Sequence, residues 1–313
     1  MLTRRAEMGA LALLAALAGC DATAPQPRCV TGADCASGVC QSDGLCAPPQ
    51  DPPDARLPDG RVPPVDAGLQ PDAGRDAGSG LCRPNEDGVV SRAEAPFGPG
   101  LMARYRTATD VGVDTAGADL GDGRRRWDFS DALPGDHDFD VVTEPLEGRW
   151  FADRYPGADY VAPLGDETDL LGVFRISETQ LELMGVVSPT EGSGRTELTY
   201  EPPVKVLVFP LELGARWSTD ARVTGVAQGL AANFGEIYES EVDARGELVT
   251  PFAPLEALRV RTTLTRTIGF SRTVVRQFSF AVECFGTAAT VVSEDDETEA
   301  EFDRAAEIRR LGF

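Results

Sequence analysis

Leu258-Arg259-Val260-Arg261-Thr262-Thr263-Leu264-Thr265-Arg266-Thr267-Ile268 is the stretch on which the fold class turns. In an extended chain Leu258, Val260, Leu264 and Ile268 share one side, and Arg259, Arg261, Thr263, Thr265 and Thr267 the other. That period of two marks a strand with one face buried. After a turn near Gly269 to Ser271 the pattern returns. Val274, Phe278, Phe280, Val282 and Cys284 form one face and Gln277, Ser279 and Glu283 the other, which predicts a hairpin whose apolar faces meet a core.

Working outward, further strands are expected at 170–177, 180–187, 195–200, 204–211, 215–227, 236–243 and 287–292, separated by Gly, Pro or Asp turns. Short sequential strands joined by tight turns predict a mainly β domain: an antiparallel meander forming a curved sheet, half-barrel, barrel or sandwich. Pro202-Pro203 interrupts one strand, which should lie at an edge or bend there, because proline donates nothing to a ladder. The best helix candidate is the tail 299–311, where Phe302, Ala305, Ala306 and Ile308 fall roughly on one side; a last strand is the alternative. Residues 82–313 are long enough to bury a sizeable core as one domain.

The N-terminal quarter reads differently. Arg4 and Arg5, an apolar run from Met8 to Ala18 and small residues before Cys20 form a signal peptide over 1–19. The run is about half the roughly 20 residues a transmembrane helix needs. Leu17-Ala18-Gly19-Cys20 resembles the lipobox of bacterial lipoproteins. The resemblance implies cleavage before Cys20, a diacylglycerol on its thiol, and a tether over 20–28. It places the chain in the cell envelope, on the periplasmic or outer-surface side of a membrane, with Asp21 following the lipidated position. Two or more acyl chains make a durable anchor where one is marginal.

Six cysteines remain, an even set that an oxidising compartment joins as disulfides. Cys29, Cys35, Cys40 and Cys46 form a small cluster over 29–46, for which we favour Cys29–Cys40 and Cys35–Cys46 among three pairings. Zinc is the competing reading, but the spacing contains no Cys-x-x-Cys pair. Cys82 and Cys284 pair across the main domain. Between cluster and domain, residues 47–81 are rich in Pro, Asp, Ala and Gly, with Asp-Ala-Gly starting at Asp66, Asp72 and Asp76. This composition predicts a disordered linker spanning roughly 30 to 110 Å.

Acidic residues exceed basic ones to give a net charge of −22, and Lys205 is the single lysine. Such a chain lacks the clustered cations that nucleic acid requires. Asn85-Glu86-Asp87-Gly88-Val89-Val90-Ser91-Arg92-Ala93-Glu94 resembles the later part of an EF-hand calcium loop, with Asn85, Asp87 and Glu94 as calcium candidates. Arg83 stands where the first ligand belongs, so a plain Asp-Gly turn is the competing reading. Asp136, Asp138 and Asp140 surround the one histidine, His137, as a solvated turn or a divalent-cation site.

A single histidine restricts triad chemistry to His137, and every cysteine has another expected fate. Paired carboxylates of a polysaccharide hydrolase remain the enzymatic alternative. The runs Arg124-Arg125-Arg126-Trp127-Asp128-Phe129-Ser130 and Gly246 to Val260 resemble segments of uncharacterised exported bacterial β proteins, a likeness that implies no activity. Trp127 and Phe129 read as core anchors. The expectation is a non-catalytic envelope lipoprotein without cofactor, binding or scaffolding a protein, or carrying an apolar ligand in a lipocalin-like cavity.

Overall fold

The computed structural model describes residues 82–166 and 168–313. The signal peptide, Cys20, the cysteine cluster and the linker lie outside the described residues.

Sixteen strands follow in order: β1 Val89–Val90, β2 Met102–Gly112, β3 Ala118–Gly121, β4 Arg124–Asp128, β5 His137–Val142, β6 Tyr160–Pro163, β7 Leu171–Ile176, β8 Gln180–Val187, β9 Glu197–Val208, β10 Leu211–Glu212, β11 Arg216–Ala227, β12 Leu230–Val249, β13 Pro254–Ile268, β14 Ser271–Val282, β15 Gly286–Ser293 and β16 Arg304–Leu311. The main sheet runs β5-β2-β16-β15-β14-β13-β12-β11-β9-β8-β7-β6. Its two ends approach each other: Glu144 N–H donates to the Val161 carbonyl at 2.9 Å and Val161 N–H returns the bond at 2.8 Å. The antiparallel sheet is thus nearly closed as a barrel, which removes the exposed edges an open sheet would present.

Which side of the sheet faces inward follows from exposure and register. On β11 and β12 the Thr219, Ala221, Val223, Glu236, Tyr238 and Ser240 side is buried, whereas Arg216, Ser218, Asp220 and Glu239 are exposed. Carried across the ladders, the inner face of β13 holds Leu258, Val260 and Leu264, as the alternation predicted.

The next strand departs from expectation. Ser279 pairs with Val260 and Gln277 with Thr262, so these polar residues of β14 face the interior, while Phe278 and Phe280 point outward opposite Arg261 and Arg259. Both faces are buried nonetheless. The reason is residues 113–136, an excursion between β2 and β5 that folds over the outside of β13–β16 as a strap. Trp127 packs edge-on to Phe280 at 5.1 Å between ring centroids and Phe129 does so at 5.6 Å, while Phe302 from the β15–β16 loop, whose carbonyl accepts the Thr115 hydroxyl, stacks on Phe278 at 5.5 Å. Trp127 and Phe129 are therefore core anchors, but on the outer side of the barrel wall, in a cluster continuous with the interior.

Two arginines of the wall fasten the strap. Arg259 on β13 donates to the Thr115 carbonyl at 2.6 Å, pairs with Asp243 and Glu301, and lies over the rings of Phe278 and Trp127. Arg310 on β16, fully buried, donates to the carbonyls of Phe129 and Asp131 and pairs with Asp136. A buried guanidinium is tolerated only where carboxylates and carbonyls meet its donors. The strap also enters the ladder: β4 runs parallel to the second half of β12, Arg125 opposite Gly246. A Cβ on Gly246 would lie 1.8 Å from the Arg125 carbonyl oxygen, so only glycine fits that approach.

A second external cluster covers β6–β8, where Phe151, Tyr155 and Leu146 from the 143–159 segment pack on Val161, Val173 and Val187. The tail resolves as the strand β16, not a helix, because β15 and β2 offer it two edges. Pro202-Pro203 sits inside β9 as a bend between two paired neighbours, not at an edge: β8 pairs with 197–199 and again from Val204, leaving the prolines out of its ladder.

The Cys82–Cys284 disulfide is formed, with 5.5 Å between Cα atoms. It sits beyond the end of β14, and Cys284 N–H donates to the Glu94 carbonyl. By the antiparallel register, the 228–229 and 269–270 turns and the 294–303 loop lie at the opposite end. A 15-residue β13 separates the ends by on the order of 50 Å.

Candidate functional site

The 85–94 segment crosses the Cys82 end of the barrel, where β1 pairs with β10. Its oxygens serve the backbone. Asn85 Oδ1 accepts Asp87 N–H at 2.9 Å, Asp87 Oδ1 accepts Val89 N–H at 2.8 Å, and Glu94 Oε2 accepts Ser91 N–H at 2.9 Å, capping the single turn Arg92–Glu94. Asn85 and Glu94 do meet, but Asn85 offers its nitrogen, at 2.8 Å. Glu283 receives the N–H groups of Asn85 and Glu86. The geometry is that of a capped Asp-Gly turn. A cleft of about 340 Å³ borders it, lined by Asp87, Arg124, Arg245, Glu256 and Glu283 among others.

The acidic run around His137 is the start of β5 and not the solvated turn expected of it. Asp138 pairs with Arg106 at 2.8 Å and Asp140 with Arg104 at 2.6 Å on the outer face. Asp136 belongs to Arg310. The hydrogen bond from Arg104 holds the Asp140 carboxyl below the usual range. His137 Nδ1 approaches the Gly135 carbonyl at 2.9 Å and Nε2 meets Asp166; the Gly135 contact first, then Asp166, raise its pKa. These acids are thus spent on arginines, and among the described residues no group of three or more His, Cys, Asp or Glu side chains converges as a metal site would.

The outer face of β11 and β12, with Arg261 and Thr263 of β13 beyond the strap, carries a groove of about 620 Å³. Arg216, Ser218, Glu239, Glu241, Arg261 and Thr263 line it, with Arg276 from β14 at its side. Glu239 and Glu241 are two apart on β12 and so share this face, about 7 Å from Cα to Cα. That spacing suits a carboxylate pair, but Glu241 is held by Arg216 at 2.6 Å and Arg261 at 2.9 Å. Its pKa is lowered, first by the Arg216 hydrogen bond, so it stays ionised and is a poor proton donor. The groove is a self-neutralising polar surface with alternating charges.

Inside the wall lies a cluster that sequence reading missed. Glu236, fully buried, accepts Tyr238 Oη–H at 2.6 Å and Arg266 Nε–H at 2.6 Å. Burial pushes the hydroxyls of Tyr238 and Tyr200 well above the ordinary tyrosine range. Further along the wall, at the level of Val242 and Val260, Ser279, Thr290, Arg309 and Thr107 form a separate polar row in register, and Arg309 donates to the Leu164 carbonyl at 2.7 Å. The β6–β9 side is lined instead by Tyr160, Phe174, Leu183, Val186 and Leu198. The interior therefore carries polar side chains among apolar ones on the β12–β16 and β2 side, and a continuous apolar lining on the β6–β9 side. In Glu236-Ile237-Tyr238-Glu239-Ser240-Glu241 both faces carry acids, so the alternation alone could not show which glutamate is buried.

No protein-family model, curated protein or solved structure matches the chain.

Proposed function

We propose that the protein is an exported, lipid-anchored envelope lipoprotein whose barrel is a non-catalytic binding or scaffolding module. The observation that carries the reading is the Cys82–Cys284 bond where the chain joins the barrel. Such bonds persist outside the reducing cytoplasm, in accord with a lipobox at Leu17-Ala18-Gly19-Cys20. The non-catalytic part is supported by the groove and the acidic loops: Glu241, Asp136, Asp138 and Asp140 are each held by arginine, and His137 is exposed at a strand start. The apolar lining of β6–β9 favours, as a second reading, an apolar ligand held on that side.

The test is metabolic labelling with radioactive palmitate in a bacterial host. Label in the full chain, lost in Cys20→Ser together with membrane association, is the expected result. An unlabelled chain with residues 1–19 still attached ends the lipoprotein reading. Lipid extracted from the purified protein and analysed by mass spectrometry decides the second.

A further inference from the structure

We propose that the barrel end remote from Cys82 docks a cationic protein surface through the exposed tips of two neighbouring hairpins. This deepens the binding role proposed above and rests on it.

Phe270 stands wholly exposed, at 110% of its reference area, in the two-residue Gly269-Phe270 turn; Leu230, beside the turn joining β11 and β12, is 74% exposed. Neither is required by the turn it occupies. Gly269, at φ +60, supplies the conformation that closes the β13–β14 turn, and a small polar residue would serve after it. Large apolar side chains presented to water at adjacent tips mark a contact surface.

The backbone adds to this. β12 follows β11 all the way to Leu230, but β13 joins it only from Gly235. Over Leu230–Phe234 the strand therefore lacks a partner on its β13 side, the arrangement that accepts an added strand.

Charge identifies the occupant. The β15–β16 loop exposes Glu294, Asp295, Asp296 and Glu299, and Asp296 is pinned beside this hairpin by bonds in both directions with the Val274 backbone. Set against the exposed Arg272, Arg222 beside Asn233, and Arg276, whose guanidinium meets the Glu297 and Thr298 carbonyls, the balance remains negative. An anionic lipid surface and a second copy of this acidic chain are both repelled. A protein surface with basic residues around an apolar strand is complementary. The position agrees: whatever precedes Cys82 attaches about 50 Å away, so a membrane-held chain can present this end outward.

The experiment uses the mature full chain in detergent micelles and a fluorescent peptide alternating Arg and Val. Fluorescence anisotropy should show saturable binding that salt weakens, and that falls at least about tenfold in the Leu230→Ser, Phe270→Ser double variant, which keeps every charge. The same peptide with Glu for Arg should not bind. Absence of binding overturns the proposal, as does equal binding by the double variant, which would mean charge attraction alone. Concentration-dependent dimers lost in Phe270→Ser would assign the tips to a second copy, and binding to phosphatidylglycerol vesicles lost in the same variant would assign them to lipid; either outcome overturns the proposal. Failure of palmitate labelling with peptide binding intact would remove the anchor and leave the docking surface standing.

Discussion

The outside of the barrel wall is treated in two ways. Over β13–β16 it bears Phe278, Phe280, Ile308 and the buried Arg259 and Arg310, roofed by residues 113–136. Over β11 and β12 the same face bears Arg216, Ser218, Asp220 and Glu239 and meets solvent. Both regions contain arginines and carboxylates, yet the chemistry differs. Under the strap both guanidiniums are buried among carbonyls and acids away from water, where removing one partner strands the others. On the bare face the ion pairs are screened and contribute little. A sheet face is thus assigned by what covers it as much as by its own residue pattern.

The sharpest way to break this contrast is to loosen the roof. Trp127→Ala removes a fully buried anchor and should cost about 3–5 kcal/mol in denaturant unfolding, and Arg310→Ala, which takes the buried cation away from Asp136 Oδ1 and the Phe129 and Asp131 carbonyls, should cost a similar ~3–5 kcal/mol. In both variants limited proteolysis should cut first within 113–136. Wild-type stability in either would mean that the strap is not part of the cooperative unit.

On the bare face the expectation is far smaller. Arg216→Ala breaks an exposed pair with Glu241 and should change stability by less than about 1 kcal/mol, fading further in high salt. A loss equal to that of Arg310→Ala would erase the distinction between the two regions.

The smallest effect tests the edge of the strap. Contact with the Gly135 carbonyl and Asp166 raises the His137 pKa above its unfolded value. The stability this adds is fully present below the unfolded pKa, near 6.5, and is lost as pH rises through the raised one. His137→Gln should therefore be slightly less stable than wild type at pH 5 and indistinguishable at pH 9. A difference that instead grows with pH would contradict the assignment.

Why one half of the wall was legible from sequence and the other was not follows from the same contrast. β13 buries apolar residues inward and shows arginine and threonine outward, so period two finds it and its face. β14 has the same period, but Phe278 and Phe280 turn to the strap while Gln277 and Ser279 turn inward. Alternation gives the strand but not the face. β2 and β5 escaped notice because their outer faces are Arg104, Arg106, Asp138 and Asp140, whose matching is a cross-strand property invisible within either segment. The Cys82–Cys284 pairing was readable from cysteine parity. The Glu236, Tyr238 and Arg266 cluster was not, because Arg266 sits on another strand.

The ring has two joints of different kinds. Glu144 meets Val161 within a short stretch of chain, whereas β2 meets β16 across nearly the whole domain, Thr107 opposite Arg309. During synthesis β2 is made early and its edge must wait for the final strand. Until Arg304–Leu311 has left the ribosome, β2 and β15 each lack a neighbour, so a transcript stopped before that point yields an open ribbon with two adhesive borders.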